Sequence, residues 1–339
     1  MSILLSRDTT FIVQGITGRE AVNLTRECLD YGSKIVGGVT PGRKGREVHG
    51  VPVFDTVAQA VEHHGGPIDG SVVTVPPAFT KDAVFEAILN GIKLIVIVTE
   101  RIPRGDVAQM VELADMNGAR IIGPNCLGLI VPDVCKMGGI GGPAKDAAKA
   151  YAPGPVGVMS RSGGMTTEIS SSLTQAGLGV STAVSIGGDA IIGSTYAELM
   201  PYFEADEETK AIVIYTEPGG RMEAQLAAWV KDNDSRLPIV AFMAGKFMDD
   251  EEMKGMSFGH AGTIDGPDLT VTGSPPAIVA AFVVGTAGVP ELEIEGDEAL
   301  LDELRGMVVI PDRLREEAQM LVESGGLLVA AAEAAAQAS

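Results

Sequence analysis

The sequence is short of the residue types that announce several common functions. Its three cysteines, Cys28, Cys126 and Cys135, show no metal-ligand spacing and no even pairing, so they read as reduced thiols, Cys28 as a core residue, and no metal site is expected. Basic residues number 25 against 45 acidic ones, and the charge of −20 would repel nucleic acid and anionic membrane surfaces alike. No run of roughly 18 or more apolar residues occurs, and Met1-Ser2-Ile3-Leu4-Leu5-Ser6-Arg7-Asp8 lacks a signal-peptide pattern. A cytoplasmic setting, or an organelle matrix, is the expectation. Histidine is scarce as well, with four in the chain, so each one carries weight.

A length of 339 residues suggests about two domains, and 43 glycines with 45% hydrophobic residues suggest loop-rich α/β architecture. Short β-branched runs alternate with amphipathic segments at βαβ spacing. In the first half, strands are expected at Phe11 to Val13, Lys34 to Val39, Ser71 to Val75, Leu94 to Thr99 and Arg120 to Ile122. Helices are expected at Arg19 to Tyr31, Val57 to His63, Lys81 to Asn90 and Asp106 to Asn117. This predicts an open parallel sheet with helices on both faces. His63 and His64 fall at a helix end and read as solvated residues without chemistry.

Ligands of such sheets bind beyond the strand ends. Three loops stand there: Gln14-Gly15-Ile16-Thr17-Gly18 before a helix, Gly37 to Gly45 with Arg43 and Lys44, and Val75-Pro76-Pro77-Ala78-Phe79. Free amides, two cations and an extended proline wall together suit a large phosphorylated, nucleotide-like ligand. The second expected strand ends without the acid that would hold a ribose hydroxyl, which disfavours a nicotinamide-dependent dehydrogenase. Residues 131–154 read as a linker.

The second half repeats the plan. A strand at Val156 to Met159 leads into Ser160-Arg161-Ser162-Gly163-Gly164 and a helix from Met165 to Gln175, an arrangement equally suited to a plain N-cap at Ser162 and to an anion cradle. Strands at Ser181 to Ile186, Ala211 to Thr216 and Pro238 to Met243 end in Gly187-Gly188-Asp189, Glu217-Pro218-Gly219-Gly220 and Ala244-Gly245. His260 lies in Gly255-Met256-Ser257-Phe258-Gly259-His260-Ala261-Gly262, with small residues on both sides that leave its ring approachable by a bulky anion. The topology would bring Ser160, Ser162, Asp189, Glu217 and His260 to one sheet edge. A carboxylate beside an imidazole fixes its tautomer and stabilises its cationic form.

Taken in order, Gln14 to Gly18, Gly37 to Gly42, Ile122-Gly123-Pro124-Asn125-Cys126, Ser160 to Gly163, Ile186 to Asp189, Glu217 to Gly220 and Gly259 to Gly262 resemble the alpha subunit of the succinate-CoA ligase (succinyl-CoA synthetase) family, malate-specific relatives included, over roughly residues 1–290. The resemblance implies a Rossmann-like coenzyme A domain over 1–130, the linker, and a flavodoxin-like phosphohistidine domain over 155–290. It places coenzyme A on Gly15, Thr17, Gly18, Arg19, Glu20, Arg43, Val75, Pro76, Thr99, Glu100 and Asn125. It places a phosphate loop on Ser160, Ser162, Gly163 and Gly164, and makes His260 the nucleophile with Glu217 orienting it. It further implies a separate ATP-grasp beta subunit holding ATP or GTP with Mg2+, and a small carboxylic acid as the third substrate.

Departures from the family pattern concern substrate identity more than reaction type. Asp249-Asp250-Glu251-Glu252 lengthens and acidifies the loop before the histidine, Pro218 follows Glu217, Gly164-Met165 replaces a Thr-Leu pair, and no Gly-Lys-Gly turn follows Ile264. Malate or another acid could replace succinate. From Pro290 to Ser339, twelve acids face three arginines, with a helix expected at Asp312 to Glu323 and an alanine-rich end, so 291–339 reads as an acidic, partly helical extension. A non-catalytic coenzyme A-binding regulator is the other class compatible with these features.

Overall fold

A computed structural model describes residues 3–217, 221–244, 269–272 and 293–296. His260, the acidic loop 249–252, Pro218 to Gly220 and the expected helix at 312–323 lie outside the described residues.

The first sheet contains β1 (Thr10–Gln14), β2 (Lys34–Val39), β3 (Glu47–Val48), β4 (Val51–Phe54), β5 (Gly70–Val73), β6 (Leu94–Ile97) and β7 (Arg120–Ile122), in the order β3-β4-β2-β1-β5-β6-β7. Every pair is parallel except β3 with β4. Both β5 and β6 are buried along their whole length, which is why Gly70-Ser71-Val72-Val73 and Leu94 to Ile97 are apolar or small on both faces. Helices α1 (Arg19–Asp30), α2 (Val57–His64), α3 (Pro77–Leu89) and α4 (Arg104–Met116) complete this half. Strand order reverses between β1 and β5, so the crevice for a ligand opens beyond Gln14 and Val73.

One local expectation changes, and two short strands are added. Pro76 and Pro77 do not form an extended wall: Pro77 opens α3 at a position where its missing N–H costs no hydrogen bond, and Pro76 caps it. The short strands β3 and β4 had no clear periodicity to reveal them.

The second sheet holds β8 (Gly128–Val131), β9 (Cys135–Met137), β10 (Pro153–Ser160), β11 (Val180–Ser185), β12 (Ala211–Thr216), β13 (Ile239–Met243), β14 (Leu269–Thr272) and β15 (Glu293–Gly296). Its order is β15-β14-β13-β12-β10-β11-β8-β9, parallel from β14 to β11 and antiparallel at β15, β8 and β9. Helices α5 (Ala144–Ala150), α6 (Gly163–Gln175), α7 (Tyr196–Ala205) and α8 (Met222–Asn233) belong to it. Here the order reverses between β10 and β12, which gives a second crevice beyond Ser160 and Thr216.

Residues 131–154 are therefore not a plain linker, because they contain β9, α5 and the start of β10. The three residues of β9 are too few to show a period, so glycine content dominated the sequence signal. The β8–β9 hairpin also docks on the first half: the Ser33 hydroxyl donates to the Lys136 carbonyl at 2.7 Å, and the Lys136 amide donates back at 3.1 Å. Likewise the segment from 291 begins inside the sheet, since β15 pairs with β14.

One buried cluster runs through both halves, joining Phe11, Val13 and Leu24 to Met159, Val184, Tyr196 and Phe203. Backbone bonds from Gly123 to Ile186 (3.2 Å) and from Gly193 to Gly123 (2.8 Å) close the junction. The two crevices are held together by this shared core.

Candidate active site

At the first crevice, Gln14 fixes the end of β1. Its buried amide donates to the Ala83 carbonyl at 2.9 Å and accepts from Ser71 at 2.7 Å. Gly15 then turns with φ +86, and a Cβ there would lie 2.9 Å from the Thr74 hydroxyl, so only glycine fits between the two strand ends. Gly18 caps α1 without a side-chain bond, which leaves the first amides of that helix to whatever occupies the crevice.

A cleft of about 1200 Å³ opens there. Among the residues lining it are Gly18, Arg19, Glu20, Val75, Pro76, Thr99, Glu100 and Asn125, so eight of the eleven positions assigned to coenzyme A share one wall. Gly15 and Thr17 do not line the cleft, and the Thr17 hydroxyl is 3.2 Å from that of Thr40. Arg43 is exposed on the neighbouring loop and does not line the cleft; its amide and that of Lys44 donate to Asp55 at 3.0 and 3.1 Å. Thr40, not a carboxylate, follows the end of β2.

The same cleft reaches the second half at Gly163 and Gly164, the first two residues of α6. Of the four residues expected to form a phosphate loop, these two glycines line the cleft. The two serines are placed otherwise. Ser160 is fully buried and its hydroxyl donates to the Ser162 carbonyl at 2.7 Å, while the Ser162 side chain caps α6 by accepting from the Met165 amide at 3.4 Å. The Ser160 hydroxyl shapes the turn, the Ser162 hydroxyl accepts at the helix start, and the two glycines line the cleft.

Between the serines, Arg161 is 2% exposed and binds outward-facing loops together. Its guanidinium donates to the carbonyls of Glu217 (3.3 Å), Gly188 (3.2 Å) and Asp189 (3.3 Å). Asp189 in turn accepts from Asn125 Nδ2 at 3.0 Å, which ties the wall of the first crevice to the second. Ser160, Ser162, Asp189 and Glu217 are thus at one sheet edge, as the strand order required. His260, the fifth member of that group, lies outside the described residues.

Sequence reasoning gave no role to Arg161, Glu223 or Lys136. Each is a charged side chain in the interior, and nothing in a sequence distinguishes a buried charge from a solvated one. Lys136 lies behind the cleft wall, donating to the Gly142 carbonyl and standing 3.8 Å from Glu27, a lining residue; burial pushes its ammonium below the usual lysine range, against the pull of nearby Cys28 and Glu27. Among the described residues no group of three or more potential ligands could hold a metal ion, and no helix is long and apolar enough to cross a membrane.

Residues 6–101 match the model of the CoA binding domain, and residues 153–273 that of the succinyl-CoA ligase like flavodoxin domain. The chain is 42% identical to the alpha 1 subunit of the ADP-forming succinate-CoA ligase of Archaeoglobus fulgidus, over 78% of this chain and 86% of that one. The chain belongs to the succinate-CoA ligase alpha-subunit family. Within the family it is also 40% identical, over the same shares of the two chains, to the ADP-forming sulfoacetate-CoA ligase subunit SqwL of Acholeplasma sp. Membership makes it an acid-thiol ligase chain, with a Rossmann-like CoA-binding domain around the first crevice and a flavodoxin-like domain around the second. The fold also matches that of ATP citrate lyase from Methanothrix soehngenii in complex with citrate and coenzyme A, with a TM-score of 0.72 at 20% identity over 95% of this chain. This chain spans 52% of that lyase chain.

Proposed function

We propose that this chain is the coenzyme A-binding, phosphate-carrying subunit of a nucleotide-dependent carboxylate-CoA ligase, with His260 as nucleophile. The observation that supports it most is that one cleft joins the α1 end of the first crevice to the glycine start of α6 in the second. A thioester-forming site needs this juxtaposition, since the thiol and the activated acid have to meet. ATP or GTP with Mg2+ belongs on an ATP-grasp beta subunit, in line with the naming of the relatives as subunits.

Three transfers make up the reaction. The imidazole nitrogen of His260 attacks the terminal phosphorus of the nucleotide, and the nucleoside diphosphate leaves. A carboxylate oxygen of the acid then attacks that phosphorus, which frees the imidazole and forms an acyl phosphate. Finally the coenzyme A sulfur, having given up its proton, attacks the acyl carbon and expels phosphate. A neutral imidazole with a reference pKa of about 6.5 is nucleophilic near neutrality, and a carboxylate accepts a thiolate only once its oxygen has become a leaving group.

The chain's own groups suit these steps. Gly163 and Gly164 present helix N-terminal amides to a transferring phosphoryl group, held rigid by the Ser160–Ser162 turn. Glu217, at the end of β12, would orient the imidazole and balance its charge while phosphate is bound. Succinate and sulfoacetate, named for the two relatives, are both carboxylates with a second anionic group, so a small dianionic acid, malate included, is the substrate class proposed here.

Incubation of the chain and its co-expressed partner with γ-labelled ATP tests the reading. The expected product is an acid-labile, base-stable phosphoprotein that disappears in His260→Asn and discharges when coenzyme A and the acid are added together. Label retained in the variant would refute the assignment, and tight binding of NAD without any effect of coenzyme A would favour a dehydrogenase instead.

A further inference from the structure

Glu223 is a carboxyl with no part in the three transfers above. It stands in the first turn of α8, only 8% exposed, and it accepts a hydrogen bond from the Thr216 hydroxyl. Thr216 is the last residue of β12 and immediately precedes Glu217. A hydroxyl has one proton to donate, and Glu223 takes it; the Glu217 carbonyl, 3.5 Å from the same hydroxyl, receives the Arg161 guanidinium at 3.3 Å. On the other side of Thr216, the Tyr215 carbonyl accepts from the Tyr196 hydroxyl at 2.8 Å. The strand end is therefore held by Arg161 from the β10 loop, by Tyr196 from α7 and by Glu223 from α8.

Of these three, Glu223 alone reaches across the turn that joins β12 to α8. Burial pushes its carboxyl above the usual range, against its own helix amide and Arg161.

We propose that Glu223 is a positioning residue for Glu217: by holding the Thr216 hydroxyl it fixes the end of β12, and with it the carboxylate that orients His260. The inference rests on the role assigned above to Glu217 and His260. Glu223 does not line the cleft, so it acts through the backbone and not on the substrate.

The test uses the chain purified with its co-expressed partner, as Glu223→Gln, Glu223→Ala and Thr216→Val. Amide exchange over residues 213–222 reads the hold on the strand end, while the rate of phosphate labelling and the KM for coenzyme A read its use. Gln keeps an oxygen for Thr216 and should match the parent in exchange pattern, labelling rate and KM when all variants are compared at one pH. Ala and Val should each speed exchange about tenfold and slow labelling about tenfold, the equivalent of one hydrogen bond to a buried acceptor. KM for coenzyme A should not move. If Ala does not fold, Val removes the same bond from the other side. Parental exchange in both Ala and Val, or a Gln variant as slow as Ala, would overturn the proposal. Faster exchange in Ala and Val when even the parent takes no label would instead sink the phosphohistidine reading while upholding the hold of Glu223 on β12.

Discussion

The two crevices of this chain stand at equivalent places in two doubly wound sheets, yet they are built to opposite ends. Beyond β1 and β5 the loops are exposed at Gly18 and Pro76, Gly18 caps its helix without a side chain, and the walls enclose about 1200 Å³. Beyond β10 and β12 the loops are crossed by hydrogen bonds among buried Arg161, Ser160, Thr216 and Glu223, and among the described residues of these loops two glycines line the cleft. A large flexible ligand requires room and amides that it can select; a phosphoryl group in flight requires donors that do not move. On the proposed reading one topology serves both needs, because the strand order fixes where a crevice opens and the loop residues decide how stiff it is.

Arg161→Ala is the strongest way to break this contrast. Removing the guanidinium leaves the carbonyls of Glu217, Gly188 and Asp189 without that donor inside the protein, at a cost on the order of 3 kcal/mol or more. Lysine should recover little, since a single ammonium cannot reproduce a planar fork that spans separate loops. Arg19→Ala at the exposed edge of the first crevice should stay within about 0.5 kcal/mol of the parent. Urea denaturation of the three variants checks this, and equal losses for Arg19 and Arg161 would mean that the two edges do not differ in rigidity.

Gly163 and Gly164 divide the contrast within a single helix turn. A Cβ at Gly163 would lie 2.4 Å from Leu127 Cγ, so Gly163→Ala should cost about 1–3 kcal/mol by overpacking. A Cβ at Gly164 meets nothing within 4 Å, and Gly164→Ala should be neutral or stabilise the helix by up to about 1 kcal/mol. The added methyl would stand on the cleft wall, however, so coenzyme A binding or phosphate labelling should fall although stability does not. Thermal melts set beside a binding titration separate the two outcomes.

The difference between the crevices was only half legible in the sequence. Glycine-rich turns after β-branched runs marked both of them, because glycine is required wherever backbone approaches backbone, as at Gly15 against Thr74. The ordered motif set was specific enough to identify the family. Lost were features that depend on burial. Ser160 and Ser162 looked like ligand donors, but the Ser160 hydroxyl is buried in the turn and Ser162 caps α6; Arg43 looked like a cleft cation, but its loop does not line the cleft; Glu223 looked like any acid at a helix start. The hairpin of β8 and β9 was missed for a related reason, since strands so short have no period and are held by contacts with Ser33, distant in sequence.

The smallest expected effect concerns pH and isolates Glu223 from its neighbours. Its folded-state pKa is raised by burial, with its own amide and Arg161 opposing, while in the unfolded chain it would titrate near the ordinary glutamate value of about 4.3. Between that value and the raised one the folded state binds more protons than the unfolded state, so the contribution of Glu223 is fully present below the unfolded pKa and is lost as pH rises through the folded one. For one group the slope is at most about 1.4 kcal/mol per pH unit. Glu223→Gln cannot ionise, so its stability relative to the parent should increase with pH from the mid-fours upward and level off once the parent carboxyl is charged. Denaturant midpoints of the two proteins across that range measure the difference. A difference that stays flat would mean that the interior beyond β12 is as well solvated as the open crevice, and the stiffness assigned to the second edge would lose its physical basis.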